Sequence, residues 1–342
     1  MSKLTYFTGC LIAVSTLLSC RKNDSYDVNG DVPVKFFTNN ESLGNAPQNS
    51  ISYSVVNIPD AAGSGLVNLS ATMPAAVKFP VFATKPVSQD VTIGAEMDNS
   101  LIAKYNVEHN TAYEPFPAGV LIGGSLSAHI ASGATKSSDS LTISADLTKL
   151  NTLTGKAYMA PVRLTTVSSA AAGEITTTST THITYIVVNM ELRQVRYLAT
   201  AADALGTLIT PRTAWSVIFT PAPTTVGSVT DGSTTTFSRW TASPVQVDVN
   251  LQATKNVTGI RLYTSNNATY IPTQVEVALS NDGINYDIVG LPLKANLTYA
   301  SSYNYILFYK AIPAKYIRLK ISYTTSTNTQ NFRLTELDVY AN

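Results

Sequence analysis

Few residue types in this chain could perform catalytic or metal chemistry. The 342 residues include three histidines and two cysteines, which are His109, His129, His182, Cys10 and Cys20. The histidines are far apart and form no His-x-His or His-x-x-x-His pair of the kind that binds zinc. No acid is paired with a base and no nucleophile adjoins a base, so we expect a protein that is not an enzyme.

Tyrosine and asparagine offer a different chemistry, the recognition of sugars. An aromatic ring can pack on the apolar face of a pyranose, while side-chain amides bond to its hydroxyls. Near the C-terminus these residue types are concentrated in two segments: Tyr263, Asn266, Asn267 and Tyr270, then Tyr299 and Tyr303. We predict that these six residues contribute to a carbohydrate-binding site.

The composition favours β-structure and excludes nucleic acid as a partner. Charged residues make up 13% of the chain and the net charge is +1, so a basic phosphate-binding surface is not expected. Thr, Ser, Val, Tyr and Ile are abundant, as suits pleated strands. Period-two alternation at 91–95, 245–249 and 316–321 predicts short strands. Helical turns are expected only near 100–105 and 146–150.

The first twenty residues indicate export. Lys3 precedes a short apolar run at 11–18, which ends in Leu-Leu-Ser and Cys20. The run is too short to remain as a membrane-spanning helix. Its ending resembles a bacterial lipobox, and this implies that 1–20 is a lipoprotein signal peptide and that lipidated Cys20 anchors the protein in the outer membrane, facing the cell exterior. An ordinary secretory signal with an incidental cysteine is the alternative.

The remaining chain is long enough for two domains of ordinary size. Residues 21–31 are polar and predict a flexible tether. A change of pattern at 190–197 divides the rest into domains at 32–190 and 195–342. Cys10 lies in the signal peptide, so no disulfide is expected in the mature protein.

The first domain resembles a family found in surface lipoproteins of Bacteroidetes. The segments that carry the likeness are VTIGAEMDNS at 91–100, IASG at 130–133, and Tyr158 followed by Pro161 and Val162. They resemble the N-terminal domain of unknown function number 1735. The resemblance implies an immunoglobulin-like β-sandwich between the lipid anchor and a functional C-terminal module.

The second domain resembles the coagulation factor five/eight type C, or discoidin, family, which includes the family 32 carbohydrate-binding modules. The matching landmarks run in order along the domain: Thr-Asp-Gly at 230–232, Ser-Arg-Trp-Thr at 238–241, Ser-Asn-Asp-Gly at 280–283, Tyr-Ile-Arg-Leu at 316–319 and Glu-Leu-Asp-Val-Tyr at 336–340. The resemblance implies a jelly-roll β-sandwich whose end loops bind a ligand, and these loops would be those after Leu262, between Leu291 and Ile306, and between Ser322 and Arg333. Trp240 could then be a sugar platform, although a core position is favoured.

The same resemblance implies one structural calcium ion. The residues at or near the family's oxygen-donor positions are Asp231, Thr236, Ser238 and Glu336. Ca²⁺ takes six to eight oxygen ligands, some of them backbone carbonyls. The loop is longer than in relatives and Ser233 replaces their Asn or Asp, so a turn with an unmetallated, hydrogen-bonded Glu336 is the alternative. Arg239 is expected to be a partner of Asp231 or Glu336.

These observations predict a cell-surface lipoprotein that captures a glycan for a polysaccharide utilisation system. The partners expected are the glycan, the outer-membrane lipid and an outer-membrane glycan-import complex. An adhesin or protein–protein module that uses the same loops is the alternative. Phospholipid binding would need apolar side chains rimmed by cations, and the candidate loops contain few cations.

Overall fold

A computed structural model describes residues 32–40, 48–176, 180–264, 272–297, 303–323 and 332–342 of the protein. These residues form many strands, one α-helix and several short 3₁₀ turns, so the predicted all-β fold class is confirmed. Within the described ranges, no helix has the length and hydrophobicity needed to span a membrane.

The described residues of the first domain form twelve strands. They are β1 Lys35–Phe37, β2 Ser50–Pro59, β3 Leu66–Ala71, β4 Ala76–Phe79, β5 Phe82–Ala83, β6 Val91–Met97, β7 Glu114–Pro115, β8 Ser127–Ile130, β9 Leu141–Ser144, β10 Ala157–Val167, β11 Glu174–Ile175 and β12 Ile183–Leu192. The main sheet has the order β3-β2-β12-β10-β6-β8, with β7 beside β10. Two smaller sheets, β11-β1-β5 and β4-β9, complete the sandwich.

The core of this domain lies between the main sheet and the smaller sheets. Strands contribute alternate residues to it, as period two requires, and examples are Ile93, Ile143 and Ile186, each 0% exposed. The only α-helix in the described part of the chain is α1, Ser100–His109, which packs Ile102 against the outer face of the main sheet. The 3₁₀ turn Leu147–Thr152 begins at Asp146, whose side chain accepts a hydrogen bond from the Thr148 N–H. The helix α1 and this 3₁₀ turn both lie where the sequence predicted helical structure.

The second domain contains nine strands in the described residues. They are β13 Thr207–Leu208, β14 Ser216–Thr220, β15 Ser238–Trp240, β16 Val245–Tyr263, β17 Gln274–Ser280, β18 Asp287–Gly290, β19 Tyr303–Ser322, β20 Phe332–Leu334 and β21 Glu336–Ala341. The main sheet has the order β13-β21-β16-β19-β17-β18, with β14 also paired to β16, and β15 pairs separately with β20. All these pairs are antiparallel.

The long strands β16 and β19 form the centre of the second domain. They pair along most of their length. An irregularity between Asn250 and Lys255 separates the pairing into two parts, one before it and one after it. Alternation is regular in β16, where Val245, Val247 and Val249 are buried while the residues between them face outward. The outward face near the end of β16 is the part of the sheet that positions the candidate site.

The segment between the domains is part of the second sheet. Val195 is 1% exposed and belongs to the second core. It forms a β-bridge with Phe308 of β19, and the neighbouring Arg196 N–H donates to the Leu307 carbonyl at 2.8 Å. Lys310 of β19 donates from Nζ to the Gly63 carbonyl of the first domain. The two domains are therefore joined by ordered contacts.

Candidate functional site

Two of the predicted sugar-binding tyrosines lie together at one end of β16 and β19. Tyr263 is the last residue of β16, Tyr303 is the first residue of β19, and the two are cross-strand partners. Their ring centroids are 4.7 Å apart with an interplanar angle of 75°. Both side chains are half-buried. The sequence placed them in loops, which is wrong, because both belong to the paired ends of strands.

The other four predicted residues, Asn266, Asn267, Tyr270 and Tyr299, lie outside the described residues. Asn304 follows Tyr303 and points to the opposite face, where it is 1% exposed and donates to Thr264 Oγ1 at 3.0 Å.

A charged network adjoins the tyrosine pair. The guanidinium carbon of Arg261 lies 4.2 Å from the centroid of the Tyr303 ring. Its Nε and Nη2 donate to Asp338 Oδ2 at 2.8 and 2.6 Å. Arg212 contacts the other oxygen of Asp338 and lies 3.0 Å from Glu336 Oε1. Asp338 and Glu336 are 1% and 3% exposed, so both arginines compensate buried carboxylates.

The predicted calcium residues are only partly brought together. Thr236 Oγ1 donates to Asp231 Oδ2 at 2.9 Å, and the Gly232 N–H donates to Glu336 Oε2 at 3.1 Å. Ser238 is directed elsewhere, because its hydroxyl donates to the Gly227 carbonyl at 2.7 Å. Hydrogen bonds from the Ser233 backbone N–H and from Thr236 lower the pKa of Asp231, although burial opposes them.

Opposing effects act on the pKa of Glu336 in this cluster. Burial raises the pKa of Glu336, and the nearby charge of Asp231 adds to this, while Arg212 and the Gly232 N–H oppose it. Glu336 and Asp338 face the guanidiniums of Arg212 and Arg261, whereas Asp231 accepts hydrogen bonds from the Ser233 N–H and from Thr236. Among the described residues there is no group of three or more His, Cys, Asp or Glu side chains suited to a metal. A calcium ion here would therefore need the Thr236 hydroxyl, backbone carbonyls or water to complete its oxygen ligands.

Two further expectations have clear outcomes. Trp240 is 1% exposed, and its Nε1 donates to the Pro221 carbonyl at 3.0 Å, so its interpretation as a core residue is confirmed. Arg239, expected beside Asp231 or Glu336, lies on β15 across from Arg333 of β20. Arg212 takes the predicted role at Glu336 instead.

Sequence reasoning missed Arg212, Arg261 and Asp338. Asp338 could have been found, because Glu336 and Asp338 are two residues apart on a strand and must face the same side. Arg261 could have been found in the same way, because it lies two residues before Tyr263 on one strand and must face the same side. Arg212 lies outside regular structure, between β13 and β14, and no local pattern indicates its partners.

Comparison with protein families supports two domains of different type. A family model described as an N-terminal domain matches residues 48–171. The model of the F5/8 type C domain matches residues 213–335. The second domain matches the F5/8 type C family. The predicted order, an N-terminal family domain and then an F5/8 type C domain with the discoidin jelly roll, is confirmed.

Solved structures resemble this chain at low sequence identity. A two-domain protein of unknown function from Bacteroides fragilis is 15% identical and covers 90% of this chain and 94% of its own, with a TM-score of 0.52. A family 32 carbohydrate-binding module of Clostridium perfringens NanJ, in complex with galactose, is 20% identical and covers 40% of this chain and 99% of its own, with a TM-score of 0.33. A C. perfringens module in complex with GalNAc-β-1,3-galactose is 15% identical and covers 40% of this chain and 100% of its own, also with a TM-score of 0.33. The B. fragilis likeness shows a shared fold across both domains. A search of curated proteins gives no match.

Proposed function

We propose that the F5/8 type C domain binds a carbohydrate, and that Tyr263 and Tyr303 form the aromatic part of its site. The observation that carries the proposal is the pairing of these two half-buried rings, 4.7 Å apart, at the ends of β16 and β19. Aromatic rings held in this way can pack on the apolar face of a pyranose without losing much side-chain freedom. Asn266, Asn267, Tyr270 and Tyr299 belong to the segments that continue from the two strand ends, and we assign them the remaining contacts with sugar hydroxyls.

Single substitutions test this site. Tyr263→Ala and Tyr303→Ala are compared with the parent on an array of immobilised glycans, and by calorimetry with galactose and GalNAc-β-1,3-galactose. Loss of a central stacking ring typically costs about 2 kcal/mol or more, which corresponds to roughly 30-fold weaker binding. Tyr286→Ala is the matched control, because Tyr286 stacks on Arg318, which belongs to the other half of β19.

Three results would contradict the assignment. If both variants bind the array like the parent, the site must lie elsewhere. If the isolated first domain carries the binding, the second domain is the wrong location. If the parent binds cell surfaces but no glycan, the adhesin alternative replaces sugar recognition. Chromatography of each glycan after incubation checks that the glycan is bound and not cleaved. Cleavage would contradict the expectation that the protein is not an enzyme.

We propose one structural calcium ion held by Asp231, Thr236 and Glu336. The support is geometric: the Thr236 hydroxyl donates to Asp231 and the Gly232 N–H donates to Glu336, so the oxygen-bearing 231–236 loop lies against Glu336. Ser238 is left out of the ligand set because its hydroxyl is bonded to Gly227. The ion would hold the 231–236 loop against β21 and would take no part in chemistry.

We further propose that Cys20 is lipidated and anchors the protein in the outer membrane, facing the exterior. The support is the Leu-Leu-Ser-Cys ending of a short apolar run. Replacing Cys20 with Ser should abolish labelling by a radioactive fatty acid and release the protein from membranes. A variant that remains labelled and membrane-bound would contradict the anchor. An anchored glycan-binding protein would serve a polysaccharide utilisation system, with an outer-membrane glycan-import complex as its partner, which affinity purification from solubilised membranes can test.

A further inference from the structure

The Tyr303 ring is held by contacts of two different kinds. Its centroid lies 4.7 Å from that of the Tyr263 ring at an interplanar angle of 75°, and the guanidinium carbon of Arg261 lies over the Tyr303 ring, 4.2 Å from its centroid. The Tyr305 ring lies farther away, at 6.3 Å. A cation over the ring and a steeply inclined neighbouring ring together restrict both the tilt and the position of Tyr303.

Arg261 is itself fixed by Asp338. Two nitrogens of its guanidinium donate to the same carboxylate oxygen, Oδ2, and the two residues are cross-strand partners on β16 and β21. Asp338 is 1% exposed, and its other oxygen faces Arg212. Rotation of Arg261 away from Tyr303 would weaken the compensation of a buried charge, so the guanidinium has little freedom to move.

We propose that Arg261 is a positioning residue for ligand binding: Asp338 fixes Arg261, and Arg261 orients the Tyr303 ring for stacking against a sugar. This inference rests on the proposed carbohydrate-binding function. An aromatic platform that is oriented before the ligand arrives loses less conformational freedom on binding, and affinity rises accordingly. Arg261 therefore acts through Tyr303, without a contact of its own to the sugar.

The same sheet provides a matched control. Arg318 lies 3.9 Å from the centroid of the Tyr286 ring and donates from Nε to Asp248 Oδ1 at 2.7 Å. This group repeats the Arg–Tyr–Asp chemistry, but Arg318 and Asp248 belong to the other half of β19 and β16, and Tyr286 precedes β18. Arg318→Met therefore removes a similar set of contacts without touching Tyr303.

The test combines binding with a reading of the ring itself. Arg261→Met, Arg261→Lys, Arg318→Met and Tyr303→Ala are made in the chain from Arg21 to Asn342, and all are applied to the same glycan array. In parallel, protein labelled with ¹³C on tyrosine rings gives an NMR signal for Tyr303, which is assigned by its loss in Tyr303→Phe. We expect Arg261→Met to weaken array binding at least tenfold and to shift the Tyr303 signal in unliganded protein. Arg261→Lys, which keeps the charge but cannot donate twice to Asp338 in the same plane, should give intermediate values.

The outcomes separate this inference from the function on which it rests. If Tyr303→Ala loses binding while both Arg261 variants bind like the parent, Arg261 has no positioning role and the carbohydrate site stands. If the Tyr303 signal does not move in either Arg261 variant, the role is also excluded. A parent that binds no glycan on the array overturns the function itself. Equal losses in Arg318→Met and Arg261→Met would show a general effect on the sheet and refute the inference. Should Arg261→Met fail to fold, Arg261→Lys decides the question alone.

Discussion

Replacement of Trp240 by Phe should destabilise the second domain without changing its ligand binding. Trp240 lies on β15, and its ring contacts Phe219 at 5.1 Å and Phe332 at 5.8 Å. Its Nε1 donates to the Pro221 carbonyl at 3.0 Å, and only 1% of the residue is exposed. A phenyl ring can keep the aromatic contacts but has no donor for the carbonyl.

The expected loss follows from these contacts. A buried carbonyl left without its donor costs roughly 1–3 kcal/mol. The smaller ring gives up buried apolar area worth about 1 kcal/mol at roughly 25 cal/mol per Å². Trp240→Phe should therefore lower the free energy of unfolding of this domain by about 2–4 kcal/mol, a large part of the roughly 5–15 kcal/mol of an ordinary domain.

Urea unfolding followed by far-ultraviolet circular dichroism measures this loss, with one transition fitted for each domain. Trp215→Phe is the control, because Trp215 is only partly buried against the same core and should cost less. A loss for Trp240→Phe that is no greater than that for Trp215→Phe would refute the reasoning. So would unchanged stability with weakened glycan binding, which would make Trp240 a sugar platform.

Three other perturbations have expected outcomes. The carboxylate of Asp282 accepts from the backbone N–H groups of Ile284 and Asn285 at 2.8 Å each, and these bonds lower its pKa. The stability that ionised Asp282 contributes is present above its unfolded pKa of about 3.9 and is lost as the pH falls further. The urea midpoints of the parent and of Asp282→Asn should therefore differ at neutral pH and converge in acid. A difference between the two midpoints that stays unchanged in acid would argue against this. Calcium should raise the melting temperature of the parent but not of Glu336→Gln, because a ligand of the folded state stabilises it by mass action; a parent curve indifferent to both calcium and chelator would remove the ion. Val195→Asp should lower the second unfolding transition and spare the first, since it places a charge in the second core; equal effects on both transitions would contradict the assignment of Val195 to that core.

Alternation in the sequence was a good guide to the strands because each sheet has one buried and one outward face. The pattern at 245–249 predicted part of β16, where residues that are at most 1% exposed alternate with partly exposed ones. The pattern at 316–321 predicted the end of β19 for the same reason. The fold class therefore followed from local periodicity, which needs no knowledge of distant contacts.

The first residues of β19 were predicted to lie in a loop because their alternation is the reverse of the usual one, with aromatic residues facing outward and a polar residue facing the core. Tyr303 and Tyr305 lie on the outward face, whereas the polar Asn304 lies on the buried face. Asn304 is tolerated there because it donates to Thr264 at 3.0 Å. A run of tyrosine and asparagine resembles a loop in sequence, and its pairing with residues 261–263 of β16 shows that it is a strand.

The place of Arg212 in the charged network was beyond prediction for a different reason. Arg212 meets Glu336 and Asp338 only because the chain between β13 and β14 passes over β21 in the folded domain. No periodicity relates an irregular segment to a strand so distant along the chain. Arg239, which adjoins a family landmark, was therefore chosen as the partner of Glu336 on proximity in sequence alone.

The strand β19 links the candidate site to the first domain. It begins with Tyr303, pairs with Val195 of the interdomain segment at Phe308, and contacts the first domain through Lys310. The seven-residue step from Tyr303 to Lys310 spans about 23 Å at roughly 3.3 Å per strand residue. Because this part of the strand is paired with β16 at 303–307 and with the interdomain segment at 307–309, that separation cannot change without breaking backbone hydrogen bonds. A ligand stacked on Tyr303 would therefore be held at a distance from the first domain that β19 sets.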